Sequence, residues 1–275
     1  MYMKFKNGKS KALTLSYDDG VVQDKRLIAI MNKYGLKGTF NINTGRYFPE
    51  ESQREKFQGK MKLSEAKELY TNSGHEVAVH ALTHPFLEQL KAAEVLTEIL
   101  EDRKNIESQY GTLARGMAYP FGTYNDEVIE LLKKCGICYS RTVKSTENFK
   151  LPENWLMLHP TCHHNNPRLM ELAQHFVEDA PGYQNENWMF YLWGHSYEFD
   201  NNDNWEVIEK FAEYTGGKND VWYAANIEIY DYVKAYEHLQ VSVDKTIVYN
   251  PSLLDVWFLE KGETYCVRSG ETLYL

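Results

Sequence analysis

The sequence lacks any long hydrophobic run. No apolar stretch approaches the ~20 residues that a transmembrane helix needs. Residues 1–11 are polar and rich in lysine, and they lack the apolar centre of a secretory signal peptide. We therefore expect a cytoplasmic protein that has no membrane partner.

The sequence also has fewer positive than negative charges. Its 30 Lys and Arg residues stand against 39 Asp and Glu residues, which gives a formal net charge of −9. A negative surface repels nucleic-acid phosphates and anionic lipids, so we expect no nucleic-acid partner. Nothing in the composition specifies an oligomeric state.

Cysteine is scarce, with four residues in 275. Cys135 and Cys138 have the spacing of a redox or metal-binding pair, but no second pair follows and they fall at a predicted helix-to-strand turn. We expect the cysteines to be buried free thiols. Aromatic residues are plentiful, including 20 Tyr and six Trp, and such side chains fill cores and also stack on sugar rings.

Strand-like and helix-like segments alternate through most of the chain. The pattern predicts α/β architecture, with parallel strands that close into a barrel. Predicted strands cover residues 12–17, 38–43, 76–79, 116–119, 137–140, 155–158 and 188–193; the longer predicted helices cover 22–34 and 87–110. After residue 241 the pattern changes to short strands separated by Gly-containing turns. We predict a barrel domain over 1–240 and a C-terminal β-hairpin appendage over 241–275, packed on the barrel.

Polar residues follow two of the predicted strands. Asp18 and Asp19 end the first strand, and neighbouring carboxylates repel each other unless a cation or a metal holds them. His80 and His84 follow the third strand, and their spacing would place both imidazoles on one face of a helical turn. One aspartate with two histidines suits a divalent metal ion, with Zn²⁺ as first choice. Sites in such barrels lie at the carboxyl ends of the strands, where these residues fall.

Four motifs occur in a fixed order across residues 13–196. They are Leu15-Ser16-Tyr17-Asp18-Asp19-Gly20, His80-Ala81-Leu82-Thr83-His84, Tyr119-Pro120-Phe121-Gly122 and Leu192-Trp193-Gly194-His195. Together they resemble the motifs of the polysaccharide deacetylases, the NodB-homology group of metal-dependent carbohydrate esterases (family 4-like). The resemblance implies a distorted (β/α) barrel of about seven strands.

The resemblance also implies roles for individual residues. It makes Asp18 the catalytic base, His195 the general acid, and Asp19, His80 and His84 the metal ligands. The backbone N–H of Phe121 would stabilise the oxyanion, a role that does not require the usual tyrosine side chain. Trp193 would line the acyl pocket, and Tyr119 is a further candidate for substrate binding. A turn at Phe121, a core tryptophan at 193 and a strand-end histidine at 195 are the structural alternatives.

The chain departs from the family pattern at an arginine. The family has an arginine three residues before its motif tyrosine, where this chain has Ala118, and the family's partner aspartate on the next strand is also absent. Arg115 is close in sequence, but it begins its strand and should lie at the opposite barrel end. We infer that Arg141, which ends the next strand, contacts Asp18 and keeps it ionised. A solvent-exposed loop arginine is the alternative.

A second departure is the histidine-rich segment 158–164. It follows a predicted strand and has no counterpart in the family motifs. His159 and His163 are therefore candidates for contacts with the substrate, and a histidine-rich surface loop is the alternative.

Three functions agree with these motifs. The first is a metal-dependent hydrolase that removes acetyl groups from N- or O-acetylated carbohydrate. The second keeps the metal and hydrolyses a C–N bond in a small intracellular amide. The third is a catalytically impaired, carbohydrate-binding pseudo-deacetylase, which the complete set of motif aspartates and histidines argues against. The motifs do not specify the substrate.

Overall fold

Strands and helices alternate along the computed structural model, which describes residues 1–53, 59–183 and 186–275. The strands are β1 (Tyr2–Lys4), β2 (Lys11–Asp18), β3 (Gly38–Ile42), β4 (Glu76–Val79), β5 (Gly116–Ala118), β6 (Tyr139–Arg141), β7 (Cys162–His163), β8 (Trp188–Gly194), β9 (Val221–Tyr223), β10 (Gln240–Val241), β11 (Ile247–Tyr249), β12 (Val256–Glu260), β13 (Glu263–Val267) and β14 (Thr272–Tyr274). The α-helices are α1 (Asp24–Lys33), α2 (Leu63–Thr71), α3 (Ala92–Tyr110), α4 (Asp126–Lys134), α5 (Leu169–Glu178), α6 (Tyr197–Asn201), α7 (Glu206–Thr215) and α8 (Asn226–Glu237).

Seven strands form one parallel sheet in the order β6-β5-β4-β3-β2-β8-β7. The segment 158–163 joins the two edges of this sheet, because Leu158 bridges to Arg141 of β6 while β7 pairs with β8. A further strand, β9, pairs with Lys11–Leu13 of β2. The predicted α/β barrel of about seven strands is therefore confirmed.

The central strand β2 is buried along its whole length. One of its faces is apolar and the other carries polar side chains. Leu13, Leu15 and Tyr17 pack into the main hydrophobic core. The alternate residues carry polar groups that meet residues of other strands and of α8: Thr14 Oγ1 donates to Asn226 Oδ1 at 2.9 Å, and Ser16 Oγ accepts from Asn41 Nδ2 at 2.8 Å. This period-two alternation places Asp18 on the inner face of the barrel, at its carboxyl end.

Two small antiparallel sheets contain the C-terminal strands. One has the order β1-β12-β13 and the other β10-β11-β14. β12 and β13 form a hairpin, as do β10 and β11, whereas β13 and β14 lie in different sheets. The N-terminal strand β1 joins the first of these sheets by pairing Tyr2–Lys4 with 257–259. The division of the chain at residue 240 stays a prediction.

Three local predictions differ from the structure. The predicted strand 155–158 contains a single helical turn, Trp155–Met157, because Asn154 Oδ1 accepts a hydrogen bond from Leu156 N at 3.0 Å and caps it. The predicted helix 87–110 is a separate turn at Leu87–Gln89 followed by α3. Residues 80–84 form a loop and not a helical turn. Across the described residues, no helix combines the length and apolar character needed to cross a membrane.

Candidate active site

Three side chains with metal-binding atoms converge at the carboxyl end of the barrel. Asp19 follows β2, whereas His80 and His84 follow β4. One ligand atom of each lies within 4.8 Å of the others, and His84 Nε2 is 3.7 Å from Asp19 Oδ1. A carboxylate and two imidazoles at these separations match a three-ligand divalent-metal site.

Two atoms of this group lack a hydrogen-bond partner among the described residues. They are Asp19 Oδ1 and His80 Nε2, and both are buried. His80 Nδ1 lies 2.8 Å from the carbonyl oxygen of Ala118, so Nδ1 carries the proton and Nε2 presents its lone pair. Buried polar atoms without partners are costly, and a bound cation would satisfy both. The residues present therefore fit a metal ion.

The backbone around the ligands is unusual. Asp19, Ala81 and His84 have positive φ angles of 78°, 61° and 66°, a conformation that non-glycine residues rarely adopt. The two imidazoles thus converge through a left-handed loop, and the predicted helical geometry is wrong. Strain of this kind persists only where the surroundings impose it, and it concentrates at functional sites.

Two buried residues impose that loop conformation. Asn43 Nδ2 donates to the carbonyl oxygens of His80 and Ala81, at 2.5 and 2.8 Å. Asp102 of α3 accepts from His80 N at 3.1 Å, and from the backbone and the hydroxyl of Thr44 at 2.8 and 2.6 Å. Asn43 and Asp102 thus fix the backbone at His80, as outer-shell residues do in metal sites.

Asp18 lies beside the ligands and binds Arg141. Arg141 Nη2 donates to Asp18 Oδ2, and Asn41 Nδ2 donates to Asp18 Oδ1 at 2.9 Å. Imidazole nitrogens approach the same carboxylate, with His80 Nε2 at 3.8 Å and His195 Nε2 at 3.9 Å from Oδ2. Burial raises the pKa of Asp18, but the Arg141 charge, with the two imidazoles, outweighs it and lowers the pKa overall. Asp18 is thereby kept ionised.

Arg115 has a different partner. Its guanidinium donates two hydrogen bonds to the Asp231 carboxylate, at 3.0 and 2.6 Å, and both side chains are about one-third exposed. Arg115 directly precedes β5, whereas Arg141 is the last residue of β6, so the two arginines lie at opposite ends of neighbouring strands.

His195 lies on the other side of Asp18 from Asn41 and follows β8. Its Nδ1 is 3.1 Å from Glu198 Oε1, which leaves Nε2 facing Asp18. Burial lowers the pKa of His195. The hydrogen bond to Glu198 and the nearby Asp18 charge raise it by more, so the net shift of the pKa is upward. An imidazole with a raised pKa beside a carboxylate with a lowered pKa is the combination that a general acid and a general base require.

Aromatic side chains form the rim. Phe121 is 48% exposed, and its ring stacks on Phe86 with centroids 3.8 Å apart and planes 9° from parallel. The rings of His84 and Phe121 meet edge to face, with centroids 4.4 Å apart. The stacked Phe86–Phe121 pair therefore adjoins the candidate metal ligands. Phe121 also has a φ of 59°, which turns its backbone sharply at the same place. Across the cleft, Trp193 is buried, and the Arg141 guanidinium stacks on its ring at 4.3 Å.

The remaining candidates lie at different distances from the centre. Tyr119 is fully buried and its hydroxyl donates to the Leu156 carbonyl at 2.9 Å, so the predicted substrate contact of this side chain is wrong. His159 is partly exposed and its Nδ1 lies 2.5 Å from Thr142 Oγ1, beyond Arg141. His163 is partly exposed and contacts Glu198.

Sequence comparison connects this geometry to known proteins. The profile of the polysaccharide deacetylase family matches residues 5–140, which include Asp18, Asp19, His80 and His84. The N-terminal half of the chain matches the polysaccharide deacetylase family. The predicted family is thus confirmed, and the Leu192–His195 motif falls beyond the matched residues.

Individual relatives of the family are distant. The chain is 22% identical over 142 residues to YxkH of Bacillus subtilis, a presumed polysaccharide deacetylase, and 38% identical over 65 residues to a chitooligosaccharide deacetylase of a Bradyrhizobium species. These matches cover 50% and 23% of the chain, and 46% and 30% of the two relatives. The chain thus spans less than half the length of the curated relatives it matches.

A solved structure shares the fold. It is a family 4 carbohydrate esterase from Streptomyces lividans, determined with acetate. The TM-score is 0.52 at 17% identity, over 78% of this chain and 92% of the esterase. The likeness shows that the deacetylase barrel extends well beyond the residues matched by the family profile.

Four residues that contact the candidate site were not predicted from the sequence. Asp102 and Glu198 contact candidate site residues directly, and Asn41 and Asn43 hold Asp18 and the His80 loop. A signal for Asp102 exists in the sequence, because it falls on the helical stripe formed by the buried residues Val95, Ile99 and Ile106. The signal for Glu198 is its position three residues after His195.

Proposed function

We propose that this chain is a metal-dependent hydrolase that removes acetyl groups from N- or O-acetylated carbohydrate. One observation carries the proposal: a buried, arginine-bound Asp18 lies between a candidate metal-ligand group and His195. Deacetylation needs a base for water, charge relief for the acyl oxygen and an acid for the leaving group, and this arrangement offers a candidate for each.

The three ligand residues give the site its electrophile. Asp19, His80 and His84 would hold the ion, and Zn²⁺ suits two imidazoles and one carboxylate with positions left open. When bound, the ion supplies Lewis acidity, making a water more acidic and withdrawing electrons from an acyl carbonyl. Lys60 and Arg46 each have a nitrogen 3.8 Å from Asp19 Oδ1, so this ligand is also held by positive charge.

Asp18 and His195 divide the proton transfers. Asp18 takes a proton from water as the water attacks the acyl carbon, and Arg141 keeps the carboxylate ready by holding Oδ2. His195 Nε2–H gives its proton to the departing nitrogen or oxygen. The N–H of Phe121, in its turn beside His84, is the proposed donor to the acyl oxygen.

The rim favours a sugar over a small amide. Phe86 and Phe121 present a stacked, half-exposed aromatic pair beside the metal ligands, a surface on which the apolar face of a pyranose ring packs. The relatives agree with this choice, since one is named a chitooligosaccharide deacetylase and the Streptomyces lividans esterase was solved with acetate, the acyl product proposed here.

Acetate release from purified, zinc-loaded protein tests the proposal. Acetylated chitooligosaccharides, acetylated xylan and N-acetylated small amines should be assayed in parallel, with the His80→Ala/His84→Ala double variant as control. Release from a carbohydrate that stops in the double variant is the expected result. Release from small amines alone would favour the small-amide function, and release from none of the three would contradict deacetylation.

A further inference from the structure

Three imidazoles surround one carboxylate next to the proposed acid. Glu198, in the first turn of α6, has Oε1 3.1 Å from His195 Nδ1. Its Oε2 lies 2.9 Å from His164 Nε2 and 3.2 Å from His163 Nε2. We call these four residues the Glu198 cluster. It includes two members of the histidine-rich segment that has no counterpart in the family motifs.

We propose that Glu198 is a positioning residue that fixes the ring of His195 for proton donation, and that His163 and His164 act as a clamp on Glu198. The inference rests on the proposed function and deepens it. Because an ionised carboxylate only accepts, the contact keeps a proton on His195 Nδ1 and orients the ring. Nε2 then faces Asp18 at 3.9 Å, where the leaving group would be protonated.

His164 is the rigid half of the clamp. Its side chain is fully buried and lies between Phe199 and Tyr17, with ring centroids at 4.2 and 5.8 Å. Position 194 beside the ring requires glycine, because a Cβ at Gly194 would collide with the His164 ring. Burial lowers the pKa of His164 to about 4, so the ring is neutral at pH 7. Its Nε2 packs 2.9 Å from Glu198 Oε2, without the geometry of a hydrogen bond. A ring packed this tightly fixes where Glu198 Oε2 can lie.

His163 approaches the same oxygen from a more exposed position. Its Nδ1 accepts a hydrogen bond from Asn165 N at 3.1 Å, so in the neutral ring the proton is on Nε2, the atom facing Glu198. The edge of the ring packs against Trp193 with centroids 4.6 Å apart. His163 and His164 therefore hold Glu198 from two directions.

The clamp has a physical purpose. Glu198 is 23% exposed, and a free glutamate side chain loses rotamer entropy when it is fixed. Two imidazoles on Oε2 fix the carboxylate before substrate arrives, so Oε1 is already in place for His195. Preorganisation of this kind matters most when the proton transfer is demanding.

The proton transfer itself is balanced. As the C–N bond of an acetamide breaks, its electron pair stays on nitrogen, which takes the proton from His195 Nε2. The imidazole becomes neutral with its remaining proton on Nδ1, still facing Glu198. Water has meanwhile supplied the hydroxyl of acetic acid and given its other proton to Asp18, and that proton restores His195. Amine leaving groups need this proton, whereas a nitrophenolate leaves without it.

A comparison of two substrates separates this role from a purely structural one. Zinc-loaded wild type, Glu198→Gln and Asp200→Asn should be assayed on an acetylated chitooligosaccharide and on 4-nitrophenyl acetate. Asp200 is the control, because it lies on the same helix and bonds Gln23 and Trp205. In Glu198→Gln we expect kcat on the amide to fall about 10-fold or more beyond its fall on the ester, and His163→Ala should shift the same ratio less. The ratio should not change in Asp200→Asn.

An activity-independent measurement keeps the test decisive. ¹⁵N NMR of His195 should show the Nδ1–H tautomer or the doubly protonated ring in wild type, and a loss of Nδ1 protonation in Glu198→Gln. An unchanged NMR spectrum, or an equal fall of kcat on both substrates, would overturn the inference. So would a second bound metal equivalent that Glu198→Gln removes, because the cluster would then be a metal site. If wild type hydrolyses neither substrate, the proposed function fails, and the NMR result still decides the role of Glu198.

Discussion

Arg141 donates a hydrogen bond to Asp18 from inside the barrel, and neither side chain is more than 3% exposed. The two residues end strands that are four places apart in the sheet order, so the contact spans the mouth of the barrel. A buried ion pair adds little net stability, but losing one partner strands the other charge. We therefore interpret the pair as a device that controls the state and direction of the Asp18 carboxylate.

Replacing this arginine should separate catalysis from metal binding. Arg141→Met should lower kcat by about 10²-fold, because a buried Asp18 without its partner loses orientation, while the bound metal is retained. Arg115→Met is the matched control, since its guanidinium binds Asp231 at the other end of the sheet. Steady-state kinetics and elemental analysis of both variants check this. Equal activities in the two would show that Asp18 does not depend on Arg141.

Removing the imidazole ligands should remove the metal. The His80→Ala/His84→Ala variant leaves Asp19 as the only one of the three ligand side chains, too few to hold a divalent ion. Elemental analysis should find about one equivalent of metal in wild type and almost none in the variant. Full occupancy in the variant would refute the ligand assignment.

The proposed base and acid should be dispensable for metal binding and essential for turnover. Asp18→Asn and His195→Ala each leave the three ligands in place, so metal content should match that of wild type. Each should lower kcat on an acetylated amide by roughly 10²-fold or more, because one proton transfer loses its partner. Near-normal turnover in either variant would exclude that residue from the proposed pair.

Asp102 should tune the metal site without touching the ion. Its carboxylate accepts two backbone N–H groups, from Thr44 and His80, and an amide nitrogen in place of either oxygen would face a donor. Asp102→Asn should therefore weaken zinc affinity by about 10-fold, as outer-shell changes do. Competition against a chromophoric chelator measures this, with the exposed Asp126→Asn as control. An affinity equal to that of the control would show that the His80 loop keeps its shape without Asp102.

Stability should depend on pH through Glu76. This partly buried residue accepts hydrogen bonds from Tyr139, Thr39 and the backbone of Ile227, yet desolvation outweighs those bonds and raises its pKa from 4.5 to about 7. A carboxyl with a raised folded-state pKa contributes stability below pH 4.5 and loses it as pH rises through 7. Urea unfolding at pH 5 and pH 8 should show that wild type loses on the order of 1–3 kcal/mol relative to Glu76→Gln.

The exposed Glu237→Gln is the control for that experiment, and its stability should follow wild type at both pH values. If the difference in unfolding free energy between wild type and Glu76→Gln were the same at pH 5 and pH 8, the raised pKa would be contradicted.

The sequence predicts those parts of the site that depend on local order. Short apolar runs in the sequence indicate buried strands. Residues at the carboxyl ends of parallel strands, such as Asp18, His80 and Arg141, must lie at one rim of the barrel. The barrel and the meeting of these side chains follow from that rule alone.

Features that depend on tertiary packing are not predictable in the same way. The loop at 80–84 adopts left-handed conformations because Asn43 and Asp102 hold its backbone, and i, i+4 spacing alone favours a helical turn. Tyr119 belongs to a site motif, but its ring points away from the cleft and its hydroxyl bonds Leu156, a residue of a turn that resembles a strand in sequence. The sequence places Glu198 three residues after His195, but its contacts with His163 and His164 form only when β7, β8 and α6 are placed together.

The order of the sheet divides the site along the chain. Asp19, His80 and His84 follow β2 and β4, which flank β3, so the ligand group needs only three adjacent strands from the first third of the sequence. His195 and Glu198 arrive with β8, which must insert beside β2 on its other edge. A chain emerging from the ribosome therefore has its proposed metal ligands well before its proposed proton donor. An ion captured early would stabilise the first strands while the nascent polypeptide is still chemically inert.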